Sequence, residues 1–259
     1  MNFEALLGYW NGFAPWQTAA VIVSGLCIGL SKTGINGASA VMVPILALIF
    51  GARESTGVVL PMLCFADLVA VVYYRRAAAW KYIVRLLPWA LAGFGLALLV
   101  DRMVPARGFK VLLGICIFAG LLVMFWNDRR GKNAAPPTAK PSAWWFSALF
   151  GIMGGFSTMI GNAAGPIMSV FLLSMRLHKV NFVGTAAWFF LIINYLKLPL
   201  QYFVWHNITI QGLLFDITMI PIILVGAALG ILVVKKVSET HYRVIVYVMT
   251  IVSAALLFL

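Results

Sequence analysis

The stretch GLCIGLSKTGINGA, Gly25 to Ala38, returns without a gap as GIMGGFSTMIGNAA at Gly151 to Ala164. The alignment pairs Gly25 with Gly151, Gly29 with Gly155, Ser31 with Ser157 and Asn36 with Asn162, and it continues to Met42 and Met168. With small gaps further on, Gly57 meets Gly184, Asp67 meets Asn194, Pro88 meets Pro221, Gly93 meets Gly226 and Lys110 meets Arg243. The chain reads as two copies of one unit. Each copy interrupts an apolar run with Gly and small polar residues, and paired breaks of this kind point to a binding site inside a membrane.

Composition sets the class. The chain is 63% hydrophobic and only 10% charged, too apolar for an ordinary soluble domain, and its apolar runs are long enough to cross a bilayer. A net charge of +12 invites a nucleic-acid reading. The basic residues, however, sit between the apolar runs or at their ends, and only Lys32 and Lys197 lie within them. No basic helix face follows phosphates, so the charge is a topology signal and nucleic acid is not a partner. Cys27, Cys64 and Cys116 occupy separate runs, with no metal-ligand spacing, and read as inert thiols. The opening MNFEALLGYW lacks a basic region and does not resemble a cleavable signal peptide.

Each copy holds five apolar segments, about 17–31, 36–51, 56–74, 82–100 and 107–126, then about 143–157, 162–175, 182–205, 210–233 and 241–258. The expected organisation is a first repeat over 1–126, a polar, Pro-rich cytoplasmic linker over 127–142 and a second repeat over 143–259. An odd count per copy makes the second repeat inverted. With both termini outside, 13 loop Lys and Arg fall inside and four outside (Arg53, Arg102, Arg107 and Lys110), as the positive-inside rule asks. Trp and Tyr near the segment ends, Tyr74 and Trp80 among them, fit interfacial belts. The first two segments of each copy are short of the roughly 20 residues that span a membrane. They read as a re-entrant or short helical hairpin, dipping from outside in one copy and from inside in the other. The fold class is thus an all-α polytopic membrane protein of two inverted repeats, each a hairpin plus three transmembrane helices.

The hairpin tips carry the chemistry. Asn36 and Asn162 stand where new helices begin, as N-caps, followed by the small residues Gly37, Ala38, Ser39 and Ala163, Ala164, Gly165. Bare N–H groups at a helix start attract anions, and small side chains let an oxyanion approach. Ser31, Thr33, Ser157 and Thr158 add hydroxyls, and Lys32 adds a full charge. The predicted substrate-binding residues are Ser31, Lys32, Thr33, Asn36, Gly37, Ser157, Thr158, Asn162 and Ala163. For Gly25, Gly29, Gly151 and Gly155, helix packing is the favoured role. The SKTG at Ser31–Gly34 lacks the Gly a P-loop places before its Lys and sits in an apolar setting, so a nucleotide site is rejected.

Asp67 lies deep in its segment, where a charge is functional by default. It either carries a coupling proton or balances Lys32 or Lys197, with Asn194 as its neutral counterpart. Lys197 either snorkels to the interface or meets substrate. Asp216 is expected to be solvated near an outer helix end. Trp188, Phe189 and Phe190 read as packing residues, with one available to line a gate. His178, His206 and His241 are unclustered, so no metal site, cofactor or catalytic residue is expected.

The runs GLSKTGINGASAVMVPILALIFGARESTGVVLP, FADLVAVVYYRRAAAWKYIVRLLPWALAG, GGFSTMIGNAAGPIMSVFLL and FVGTAAWFFLIINYLKLP resemble the sulfite exporter TauE/SafE family of bacterial membrane proteins over nearly the whole chain. The resemblance implies transport of sulfite, organosulfonates or related small anions across the plasma membrane. The chain departs from the glycine-rich hairpin of many relatives at Lys32. The expected function is alternating-access export of a small sulfur oxyanion, with a carrier or channel for another small anion as the alternative. Its expected partners are that anion and membrane lipids, and self-association is left open. A membrane-embedded enzyme is disfavoured for want of a nucleophile–base pair.

Overall fold

The computed structural model describes residues 10–51, 54–100 and 144–256, and within these it holds nine α-helices and no strand. The predicted segment 107–126, the linker 127–142, Cys116 and the Lys110–Arg243 equivalence lie outside or partly outside the described residues. The other nine predicted segments are all helical. They are α1 (Pro15–Thr33), α2 (Met42–Phe50), α3 (Glu54–Tyr74), α4 (Trp80–Val100), α5 (Trp144–Gly161), α6 (Gly165–Ser174), α7 (Lys179–Pro199), α8 (Ile210–Lys236) and α9 (Glu239–Leu256). A π-helical turn over Leu200–Val204 extends α7. Four stretches are long and apolar enough to cross a bilayer: Glu54–Tyr74, Trp80–Leu99, Lys179–Val204 and Ile210–Lys236.

Helices α1 and α2 form the first hairpin, α5 and α6 the second, and in each the end of the second leg returns to the start of the first. Phe13, just before α1, meets Phe50 at the end of α2 with ring centroids 5.7 Å apart, and Phe146 near the start of α5 stacks on Phe171 of α6 at the same separation. The first legs are longer than predicted, 19 and 18 residues. The polar residues expected to end the first leg instead continue it, and within the helix the Thr33 hydroxyl is satisfied by the Gly29 carbonyl one turn earlier (3.0 Å).

Glycines decide how the legs pack. Helix α1 runs parallel to α8, with Gly25 against Met219 and Ile222, Gly29 against Ile223 and Gly226, and Gly34 against Gly230. Helix α5 runs parallel to α4, with Gly151 against Leu86 and Trp89 and Gly155 against Ala90, while Gly93 faces Ile152. A Cβ on Gly29 would collide with the Ile223 carbonyl oxygen, and one on Gly155 with that of Ala90. These are the close backbone approaches that small residues permit in a membrane, where packing rather than water drives association. Helices α3 and α7 cross antiparallel between the two pairs. Gly57 on α3 packs against Asn207 in the loop beyond α7, and Gly184 on α7 packs against Ala77 in the loop beyond α3.

The aromatic residues expected at the bilayer interfaces are mostly exposed, with Tyr74 buried. Trp16, Tyr73, Trp80, Trp144, Trp145 and Tyr202 are exposed near helix ends. Tyr74, expected in that belt, is buried instead, because its hydroxyl finds the carbonyl of Thr33 at 2.9 Å.

Candidate functional site: the facing hairpin tips

The two tips meet. Gly165 lies directly against Gly37, where a Cβ would stand 3.1 Å from the Gly37 Cα, and the Ser169 hydroxyl reaches the Asn36 carbonyl at 3.4 Å. Between them is a cavity of about 10 Å³ lined by Lys32, Asn36, Ser39, Thr158, Asn162 and Asn194, with Leu63, Gly165 and Phe190 completing the wall. That is the room one water needs. Ser31 reaches the cavity through Ser39, to which its hydroxyl donates at 3.2 Å.

The chain turns differently in each tip. Asn162 has φ 54° and closes α5, its N–H bonded to the Thr158 carbonyl at 3.1 Å. In the first copy the left-handed position is Gly37, φ 97°. Neither Asn36 nor Asn162 is an N-cap. The caps are Gly37 before the 3-10 turn Ala38–Val41 and Ala164 before α6, and neither gives a side-chain cap bond. Asn tolerates the left-handed region, so in the second tip it ends a helix rather than starting one. The first N–H groups of the returning legs have no capping side chain, the condition that favours an anion.

The buried charges sort into two groups. Lys32 Nζ sits 2.9 and 3.1 Å from the two oxygens of Asp67, Asn194 Nδ2 donates to Asp67 at 2.6 Å, and the Lys32 ammonium lies 4.1 Å from the centre of the Phe190 ring. Asp67 and Asn194, equivalent in the two copies, are thus direct partners. Lys197 is fully buried and does not snorkel. Its ammonium donates to the Thr158 carbonyl (2.7 Å), the Thr158 hydroxyl (3.3 Å) and Asn162 Oδ1, placing a cation at the carbonyl end of α5. Around the tips stand two buried lysines and one buried carboxylate. Asp216, expected in solvent, is buried at 7% exposure away from the tip cavity, and neither oxygen has a hydrogen-bond partner among the described residues.

Donors from surrounding helices hold the tip carbonyls. Thr33 O accepts from Tyr74 (2.9 Å), Gly34 O from Tyr242 (2.9 Å) and Gly37 O from Ser253 (3.1 Å). Met159 O in the second tip accepts from Gln201 at 3.3 Å. These carbonyls are spoken for, which removes negative ends that would repel an anion. Two donors at the tips keep no partner among the described residues: the Asn36 amide nitrogen and the Ser157 hydroxyl. Buried polar groups left unmade are costly, and each calls for an explanation.

Of the residues singled out from sequence, Lys32, Asn36, Thr158, Asn162 and Asn194 line the cavity, Ser31, Gly37 and Lys197 support its walls, and Ser157 is buried next to Thr158 without lining it. Ala163 is buried in the turn. Thr33 is not part of it, because its hydroxyl is committed to Gly29 and to the Ala227 carbonyl of α8 (2.7 Å). Sequence reasoning missed Ser169, Gln201, Tyr242 and Ser253. A lone polar residue in an apolar run gives no local sign of the carbonyl it will meet.

No match was found among curated proteins or among solved structures. The sequence model of the family described as sulfite exporter TauE/SafE matches residues 21–257, which takes in most of α1 and all of the other described α-helices, and this chain belongs to that family of membrane transporters.

Proposed function

We propose that the chain exports a small sulfur oxyanion, sulfite or an organosulfonate, by alternating access, and that the anion is held between the hairpin tips. Family membership makes it an exporter-type anion transporter of the membrane rather than an enzyme. The observation that carries the site is the charge and donor balance at the tips. Around the tips two buried lysines outnumber one buried aspartate, which pairs with Lys32 alone, and the Asn36 amide and Ser157 hydroxyl have no partner among the described residues. A bound monovalent oxyanion would supply the missing charge and accept both donors. The present cavity holds about one water, so loading requires the tips to part.

The inverted-repeat reading is supported by reciprocal packing. Helix α1 of the first copy pairs with α8 of the second, α5 of the second pairs with α4 of the first, and the duplicated glycines sit at both seams. Asp67 serves as the counter-charge of Lys32 in this reading rather than as a proton carrier. Voltage is then sufficient drive, since an anion leaving an inside-negative cell gains about 2.3 kcal/mol per 100 mV. With the basic loops inside, both termini lie outside.

The test is thermal unfolding of the purified protein with sulfite, a two-carbon sulfonate, acetate and chloride, alongside Asn36→Ala and Ser157→Ala. Because both groups are unpartnered in the empty protein, removing them leaves its own melting temperature nearly unchanged. A ligand at about 100 times its Kd stabilises by about 2.7 kcal/mol. The sulfur oxyanions should shift the parent and shift either variant much less. Equal shifts in all three proteins would place the anion elsewhere.

A further inference from the structure

A cavity wider than the one between the tips opens elsewhere in the described structure. A space of about 650 Å³ opens at the face that bears the basic loops, lined by Tyr73, Tyr74, Arg76, Lys179, Asn181 and Lys235. Its cations come from three separate elements, the loop after α3, the start of α7 and the end of α8. No acidic side chain stands among the described residues that line it. The positive-inside rule asks for a number of Lys and Arg on this face. It does not ask three of them to converge on one concavity. Lys179 is held at the rim, its ammonium donating to the Val237 carbonyl at 2.6 Å and its backbone N–H to Glu239 at 3.1 Å, and Lys235 lies 5.6 Å from the Tyr73 ring. Tyr74 borders this space, and its hydroxyl is bonded to Thr33 in the first tip. One side chain thus connects the basic cavity to the candidate substrate site.

Among the described residues, side chains tie the opposite side together. Asn207 donates to Thr56 (3.2 Å) and to Gln201 (3.0 Å), Gln201 donates onward to Met159 in the second tip, and the Asn207 backbone lies directly on Gly57. On the basic face a wide space reaches as far as Tyr74, whose bonded side chain separates it from the tips, while side-chain amides tie the other face.

We propose that the basic cavity is a second anion site, where the transported oxyanion waits on the cytoplasmic face before it passes Tyr74 to the tips. The proposal rests on the tip reading above. The waiting anion is held by exposed ammonium and guanidinium groups, so salt screens it strongly, whereas the buried tip site is screened little. An anionic lipid headgroup offers the same chemistry from a different source, and the experiment separates the two.

The experiment is equilibrium binding of labelled sulfite to the full chain in neutral detergent, at low and high potassium gluconate, with and without short-chain phosphatidylglycerol. The parent should bind two molecules per chain, one of them weakened about tenfold or more by salt. The variant Arg76→Gln/Lys235→Gln, altered only at exposed residues, should keep the salt-resistant molecule and lose the other. Asn36→Ala should do the reverse. Unchanged binding in Arg76→Gln/Lys235→Gln would overturn the second site and leave the tip reading intact. Phosphatidylglycerol retained in place of the salt-sensitive sulfite would overturn it in favour of a lipid site. Absence of any sulfite binding to the parent would remove both readings together.

Discussion

Replacing Asp67 by Asn tests whether the buried pair organises the tips. The carboxylate is fully buried, grips Lys32 through both oxygens at 2.9 and 3.1 Å, and accepts from Asn194 at 2.6 Å. The amide still accepts from Asn194, so the loss falls on Lys32, left with a buried charge and only the Phe190 ring. Removing one member of a buried pair costs about 3–5 kcal/mol. At about 2–4 °C per kcal/mol for a protein of this size, the midpoint of unfolding should drop by about 10 °C. The double variant Lys32→Met/Asp67→Asn leaves no unpaired charge and should return to within about 1–2 kcal/mol of the parent, because apolar replacement of a buried pair is often neutral. With each single variant costing about 3–5 kcal/mol and the double about 1–2, the cycle should give a coupling of at least about 4 kcal/mol. Tryptophan fluorescence on heating in detergent measures all four proteins. The recovered double variant should nevertheless lose its sulfite-induced shift, since Lys32 is gone. An Asp67→Asn protein that unfolds within 2 °C of the parent would refute the pairing as a structural centre.

Other substitutions separate packing from chemistry. Gly29→Ala and Gly155→Ala drive a methyl into backbone carbonyls of α8 and α4, and each should cost at least about 1–3 kcal/mol, read as a lower unfolding temperature. Asp216→Asn relieves a buried carboxylate without hydrogen-bond partners and should raise that temperature; a fall would mean that Asp216 holds an ion or a proton that the fold relies on. Lys197→Met takes the donor from the Thr158 carbonyl and from Asn162, and should destabilise the second tip by about 3 kcal/mol while sparing the first. Hydrogen exchange of residues 157–164 against 31–38 measures that asymmetry. Gln201→Ala breaks the amide lock, and a cysteine placed at Asn162 should then react faster with a membrane-impermeant thiol reagent.

Much of the architecture is local and so was legible along the chain. Hydropathy marked the helices because a bilayer forces backbone polar groups to bond within their own segment. The doubled Gly and Asn marked the breaks, and Gly25, Gly29, Gly151 and Gly155 announced close packing before their partners were known. The partners themselves were not legible. Lys32 and Asp67 are joined across two helices, and Asp67 and Asn194 meet only because α3 and α7 cross antiparallel. Asn162 was read as opening a helix, yet it closes one, since Asn satisfies both roles and the direction of the turn chooses between them. Tyr74 and Asp216 carried the signature of interface residues but turned inward, where packing overrode position along the segment.

By itself, then, the amino-acid order determined which segments are helical and where they break, because these depend on neighbours within a turn or two. Tertiary structure alone decided which buried cation meets a carboxylate and which meets a helix end, and which tip donors stay unpaired. Those outcomes depend on the register of helices far apart in sequence. In a low-dielectric interior a shift of a few ångströms separates a satisfied charge from one that awaits a ligand.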